Sequence, residues 1–75
     1  MPQYSNKDIN KVLKYVHRLP RDLGFTNKVD FIYAEHIPNL RLSERDLRNI
    51  LSILAQNGYL MLEGYTEGTF ITFLR

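Results

Sequence analysis

The sequence predicts one α+β domain, in which three packed helices lead into a C-terminal antiparallel ribbon of two or three strands. Three observations carry this expectation. Residues 42–58 hold aliphatic side chains at helical spacing between a serine start and a glycine stop. Residues 6–19 repeat that spacing behind Ser5, and the stretches 59–65 and 69–74 are rich in aromatic, β-branched and aliphatic residues on either side of Thr66-Glu67-Gly68.

Seventy-five residues make a single domain, taken here as 1–75. A chain this short buries only about 60% of its unfolded surface, so its core has little to spare. Without cysteine it has neither disulfides nor thiolate metal ligands, and stability must come from packing. Apolar runs are far below the roughly 20 residues that span a bilayer, and the start lacks a signal-peptide pattern, so a soluble, unprocessed, cytoplasmic or nucleoid-associated protein is expected. The net charge of +2 conceals an asymmetry: nine of the ten basic residues lie within residues 1–48, whereas the ribbon carries Glu63 and Glu67 against Arg75. That balance permits a polyanionic partner without requiring one.

The first helix is expected from Asn6 to Leu19, with Ser5 as its cap, Asp8 near the positive end of the helix and Pro20 closing it. At about 100° per residue, Ile9, Val12, Leu13, Val16 and Leu19 share one side, and Lys7, Lys11, Lys14 and Arg18 form a stripe opposite. Residues 20–27 read as a turn with Leu23 and Phe25 as apolar plugs, and a short strand could sit there. A second helix is expected from Thr26 or Asn27 to about His36, with a strand over Asp30 to His36 as the rival, because the segment is β-branched and aromatic. Pro38-Asn39 is expected to break the chain, and Leu40 and Leu42 to anchor the turn into the third helix.

The third helix is the most marked. Ser43 can cap it, Glu44 and Asp46 suit its positive end, and Gly58 can take the left-handed conformation that stops it. Leu47, Ile50, Leu51 and Leu54 point one way; Arg45, Arg48, Asn49, Ser52 and Gln56 gather on the other, a face without an acid. Gly68 is expected at positive φ in the hairpin that follows.

This Leu-Ser entry, spaced aliphatics and Gly-Tyr-Leu exit into a ribbon resemble the third helix and wing of winged helix-turn-helix domains. The resemblance implies a double-stranded DNA-binding domain, a small transcriptional regulator or mobile-element accessory protein, with the third helix in the major groove. It assigns Arg45, Arg48, Asn49 and Ser52 as contacts. Arg, Asn and Gln, Gln56 included, are the side chains that can make paired hydrogen bonds to guanine or adenine edges. Lys7, Lys11, Lys14 and Arg18 could add phosphate contacts that select no sequence, or simply be the solubilising face opposite the apolar side of the helix.

The wing departs from that pattern. Its tip offers Glu63 and Glu67 where such wings carry Arg or Lys, so it opposes phosphates or serves another partner. The segment Phe70-Ile71-Thr72-Phe73-Leu74 is apolar on both faces, which nominates Phe70, Phe73 and Tyr65 as an interface for a second copy or another protein. The first helix or the N-terminal arm could instead cover it. A homodimer would place two third helices on adjacent half-sites. The alternative function is therefore a winged-helix protein-interaction module, an adaptor or inhibitor, working through the wing without nucleic acid.

An enzyme is not expected. His17 and His36 are the only histidines, the carboxylates are scattered, and no glycine-rich phosphate loop is present, so no catalytic residue, metal or cofactor is assigned.

Overall fold

The computed structural model describes residues 4–75, and residues 1–3 of the single expected domain lie outside the described part. Three helices pack on a three-stranded antiparallel sheet in the order α1 (Asn6–Arg18), β1 (Lys28–Ile32), α2 (Tyr33–Leu40), α3 (Glu44–Gln56), β2 (Leu60–Tyr65), β3 (Gly68–Phe73). Across the sheet the order is β1-β3-β2, so the last strand is the central one.

Both long helices begin as their caps dictate. The Ser5 hydroxyl accepts from the Asp8 amide and the Ser43 hydroxyl from the Asp46 amide, each at 3.1 Å. Gly58 ends the α3 segment at φ +79°, the left-handed value expected of it.

The middle of the chain corrects two expectations. Residues 28–32 form a strand, and the second helix starts only at Tyr33. Within β1 only Val29 and Phe31 are fully buried, while Asp30 between them faces water; that alternation suits a strand with one face on the core. Here the β-branched and aromatic content outweighed the capping potential of Thr26 and Asn27. Because β1 arrives from between α1 and α2, the sheet is not a purely C-terminal ribbon.

Pro38 does not break the chain where expected. It sits inside α2, which runs on to Leu40 and stops at Arg41, a left-handed residue at φ 56° whose amide bonds the Ile37 carbonyl at 3.1 Å. Leu23 and Phe25 are not plugs: Leu23 is 94% exposed at the tip of its loop, and Phe25 is half exposed with the Lys28 ammonium 4.7 Å from its ring centre. What ties this loop down is Arg21. Its guanidinium donates to the carbonyls of His17 and Leu19 and to that of Thr26, closing the end of α1 onto the turn.

One core joins all six elements. Val12 and Val16 of α1, Val29 and Phe31 of β1, Tyr33 and Leu40 of α2, Leu47, Ile50, Leu51 and Leu54 of α3, Leu60 of β2, and Ile71 and Phe73 of β3 are buried together. The β2–β3 hairpin turns through Thr66 and Glu67, with Tyr65 paired to Gly68. Gly68 is not at positive φ, contrary to expectation; its requirement is space. A Cβ there would stand 2.1 Å from the Phe31 carbonyl oxygen, where β3 begins its pairing with the end of β1.

Gly68→Ala must therefore push two paired strands apart. We expect a loss of about 3 kcal/mol, the upper end for overpacking, read as a lower urea midpoint at unchanged slope; an unchanged midpoint would show that the strand ends adjust freely.

Candidate nucleic-acid interface

The outward face of α3 follows from the ridge beneath it. Because Leu47, Ile50, Leu51 and Leu54 are all 1% exposed or less, the helix has one rotational setting. Arg45, Ser52 and Gln56 are exposed on the far side.

Arg48 is exposed as well, but it is held. Its Nε lies 3.1 Å from a Glu44 carboxylate oxygen one turn earlier, and its guanidinium sits 4.6 Å from the centre of the Tyr33 ring. The face therefore carries an acid after all, one turn before Arg48. Tyr33 is pushed above its ordinary pKa by burial, which the nearby Arg48 charge partly offsets.

Asn49 is drawn toward the N-terminal arm. The Tyr4 hydroxyl donates to Asp46 at 2.9 Å and accepts from the Asn49 amide at 3.0 Å. Asn49 is thus half-buried and already bonded, whereas Arg45, Ser52 and Gln56 lie open beside it. Spacing alone could not reveal this, since Tyr4 lies more than forty residues away in sequence.

The α1 stripe is exposed along its length at Lys7, Lys11, Lys14 and Arg18. The Lys11 ammonium also donates to the Leu40 carbonyl at 2.6 Å, where a cation meets the negative end of α2. Asn39 on α2 donates to the Tyr15 hydroxyl at 3.0 Å, and that hydroxyl lies 2.8 Å from His36 Nδ1.

The three residues nominated for an interface separate. Phe73 is 7% exposed and turned inward, its ring stacked on His17 at 4.1 Å with the Arg21 guanidinium 4.8 Å away, so α1 and its loop cover it. It is not available to a partner. Phe70 faces outward on the opposite side of β3, half-buried between the Tyr65 ring at 5.2 Å and the Lys28 ammonium at 4.9 Å. Tyr65 is exposed, and its hydroxyl donates to Asp30 across the sheet. Met61 and Leu74 are the most exposed apolar residues on β2 and at the end of β3, features that the sequence pattern did not single out.

The tip of the β2–β3 hairpin is short and occupied. The Glu67 carbonyl accepts from the Tyr33 amide at 3.1 Å, so the turn caps the start of α2, while Glu63 and Glu67 stay exposed. Among the described residues, no group of three or more histidine, cysteine or carboxylate side chains is placed to hold a metal ion, and no helix is long and apolar enough to cross a membrane.

The Tyr65–Asp30 bond has a titration consequence. Donation to Asp30, with smaller contributions from burial and the nearby carboxylates, raises the Tyr65 hydroxyl to about 12. A raised acid favours the folded state while protonated, so this contribution is complete below pH 10 and lost as pH climbs through about 12. Tyrosinate absorbance should show, besides Tyr33, a late-ionising tyrosine in the wild type that ionises earlier in Asp30→Asn; equal titrations in both would remove Asp30 as the cause. Comparison of the chain with protein-family models, curated proteins and solved structures gave no match, so the chemistry of these surfaces is the basis for assigning their role.

Proposed function

We propose that this chain is a winged-helix type domain that binds double-stranded DNA, with the exposed side of α3 in the major groove. The observation that carries this is the row Arg45, Ser52 and Gln56, exposed on a helix whose other side is wholly buried. A single helix is the element that fits the major groove, and Arg and Gln can make paired hydrogen bonds to guanine and adenine edges.

Within this reading Arg45 is the first contact, because among the described residues it forms no ion pair, whereas Arg48 must leave Glu44 or carry it along. Glu44 opposes a phosphate but not a cytosine amino group, which a carboxylate can accept from. Asn49 contributes only when Tyr4 releases it. The acidic, tightly turned wing stays off the backbone, so affinity rests on α3 and on whatever basic surface reaches a phosphate.

A second reading is a protein-interaction module working through the outer face of the sheet. Exposed Met61, Tyr65 and Leu74 near half-buried Phe70 favour it, and Phe73 takes no part. A homodimer through this face would belong to either reading.

Duplex binding at low and moderate salt separates the two. For a preferred sequence, Arg45→Ala should cost about 1–3 kcal/mol and relax discrimination at one base position, and Arg48→Ala should cost less because Arg48 is already paired with Glu44. Wild-type binding that does not respond to salt, or an Arg45→Ala variant that binds every sequence as the wild type does, would reject the DNA proposal. In the second reading, Phe70→Ser would abolish association of a folded domain, and a wild type that stays monomeric and uncoupled from any protein would reject that.

A further inference from the structure

The α1 stripe has a cost that the fold offsets only in part, through the Lys11 bond to the Leu40 carbonyl and the place of Arg18 in the last turn of α1. Lys7 and Lys11, and Lys14 and Arg18, stand one turn apart; Lys11 and Lys14 are three residues apart. Each like-charged pair of this kind destabilises a helix by about 0.2–0.5 kcal/mol. Lys7 also sits in the first turn, where the helix end is positive. Among the described residues the carboxylates that come within 4.0 Å of a basic side chain are Glu44, beside Arg48, and Glu35, beside His36, so none of the four cations has one.

The middle of the stripe opens into a groove of about 230 Å³ between α1 and the end of α2, lined by Lys11, Lys14, Tyr15, Arg18, Asn39 and Leu40. No acid lines it. The Tyr15 hydroxyl fixes the Asn39 amide at its wall, leaving one amide hydrogen unspent, and Lys11 keeps donors beyond the one given to Leu40.

We propose that this groove and stripe form a binding site for the phosphodiester backbone of nucleic acid, independent of base sequence. Length distinguishes this ligand from a single anion: Lys7 to Arg18 spans roughly 16 Å of helix axis, and a strand presents one negative charge per about 3.4 Å. Several successive phosphates meet the stripe, with Lys14, Arg18 and Asn39 donating to one at the groove. The groove is lined by residues of α1 and the end of α2 and shares none with the α3 row Arg45, Ser52 and Gln56, so each can be substituted without touching the other.

The test is a duplex titration in which salt dependence and sequence preference are read separately. Replacing two of the three groove cations, Lys14→Gln with Arg18→Gln, should lower the slope of log affinity against log salt by about 2 and leave the ratio between preferred and scrambled duplexes unchanged. An unchanged slope would overturn the site, whatever Arg45→Ala does. In the wild type, a scrambled duplex should perturb the magnetic resonance signals of Lys14, Arg18 and the Asn39 side-chain amide. Perturbation at these residues without Arg45, Ser52 or Gln56 would sustain the groove while removing the α3 reading; the reverse pattern would remove the groove alone. Equal perturbation by inorganic phosphate at the same phosphate concentration would assign the groove to the free anion and overturn the backbone proposal.

Discussion

Leu47, Ile50, Leu51 and Leu54 set the orientation of everything that α3 presents to solvent. Burying an aliphatic side chain of this size contributes about 1.5–3 kcal/mol, so exposing the ridge would cost on the order of 10 kcal/mol. A domain of this size has total stability of roughly 5–15 kcal/mol. The helix therefore cannot rotate to hide Arg45 or bring Asn49 fully outward without unfolding. A fixed ridge makes the opposite face a fixed surface, which is what recognition of a groove requires.

The sheet supplies the counterpart. β3 is flanked on both sides, and its inward Thr69, Ile71 and Phe73 lie against the core while Phe70 and Thr72 look out. Its entry is constrained at Gly68, where backbone meets backbone, and its exit at Phe73, clamped by His17 and Arg21. Gly68 thus links the hairpin to the middle of the chain, and the Glu67 carbonyl extends that link to the first residue of α2. A hairpin tied down in this way is a structural brace, with Glu67 in its turn and Glu63 on β2.

Much of this was legible before any coordinates. Local signals sufficed for α1 and α3, because Ser5, Ser43 and Gly58 act within a few residues and the aliphatic period is long enough to be unambiguous. The hairpin was legible for the same reason. The segment 27–40 was less so: its β-branched and aromatic content admits a strand, but it is β3, some forty residues later, that offers the pairing edge and fixes the strand at Lys28–Ile32. Of the α3 face, the exposure of Arg45, Ser52 and Gln56 followed from the helical period, but the Tyr4 contact on Asn49 did not. The apolar pattern of residues 70–74 was equally unable to say that Phe73 is covered by His17 while Phe70 is not, since strand alternation gives two faces without naming the inner one.

Electrostatics divide the molecule along similar lines. Basic side chains line the exposed side of α1 and, with Glu44 among them, that of α3, while the exposed acids of the sheet and its hairpin are Asp30, Glu63 and Glu67. Under the proposed function, a polyanion would be steered to the helices and away from the hairpin tip. Chemical modification of arginines, mapped residue by residue with and without duplex DNA, tests this most directly. Duplex should slow modification of Arg45 while leaving Arg75, beside Tyr59 at the end of the chain, as reactive as before. Unaltered reactivity at Arg45, or protection confined to Arg75, would contradict it.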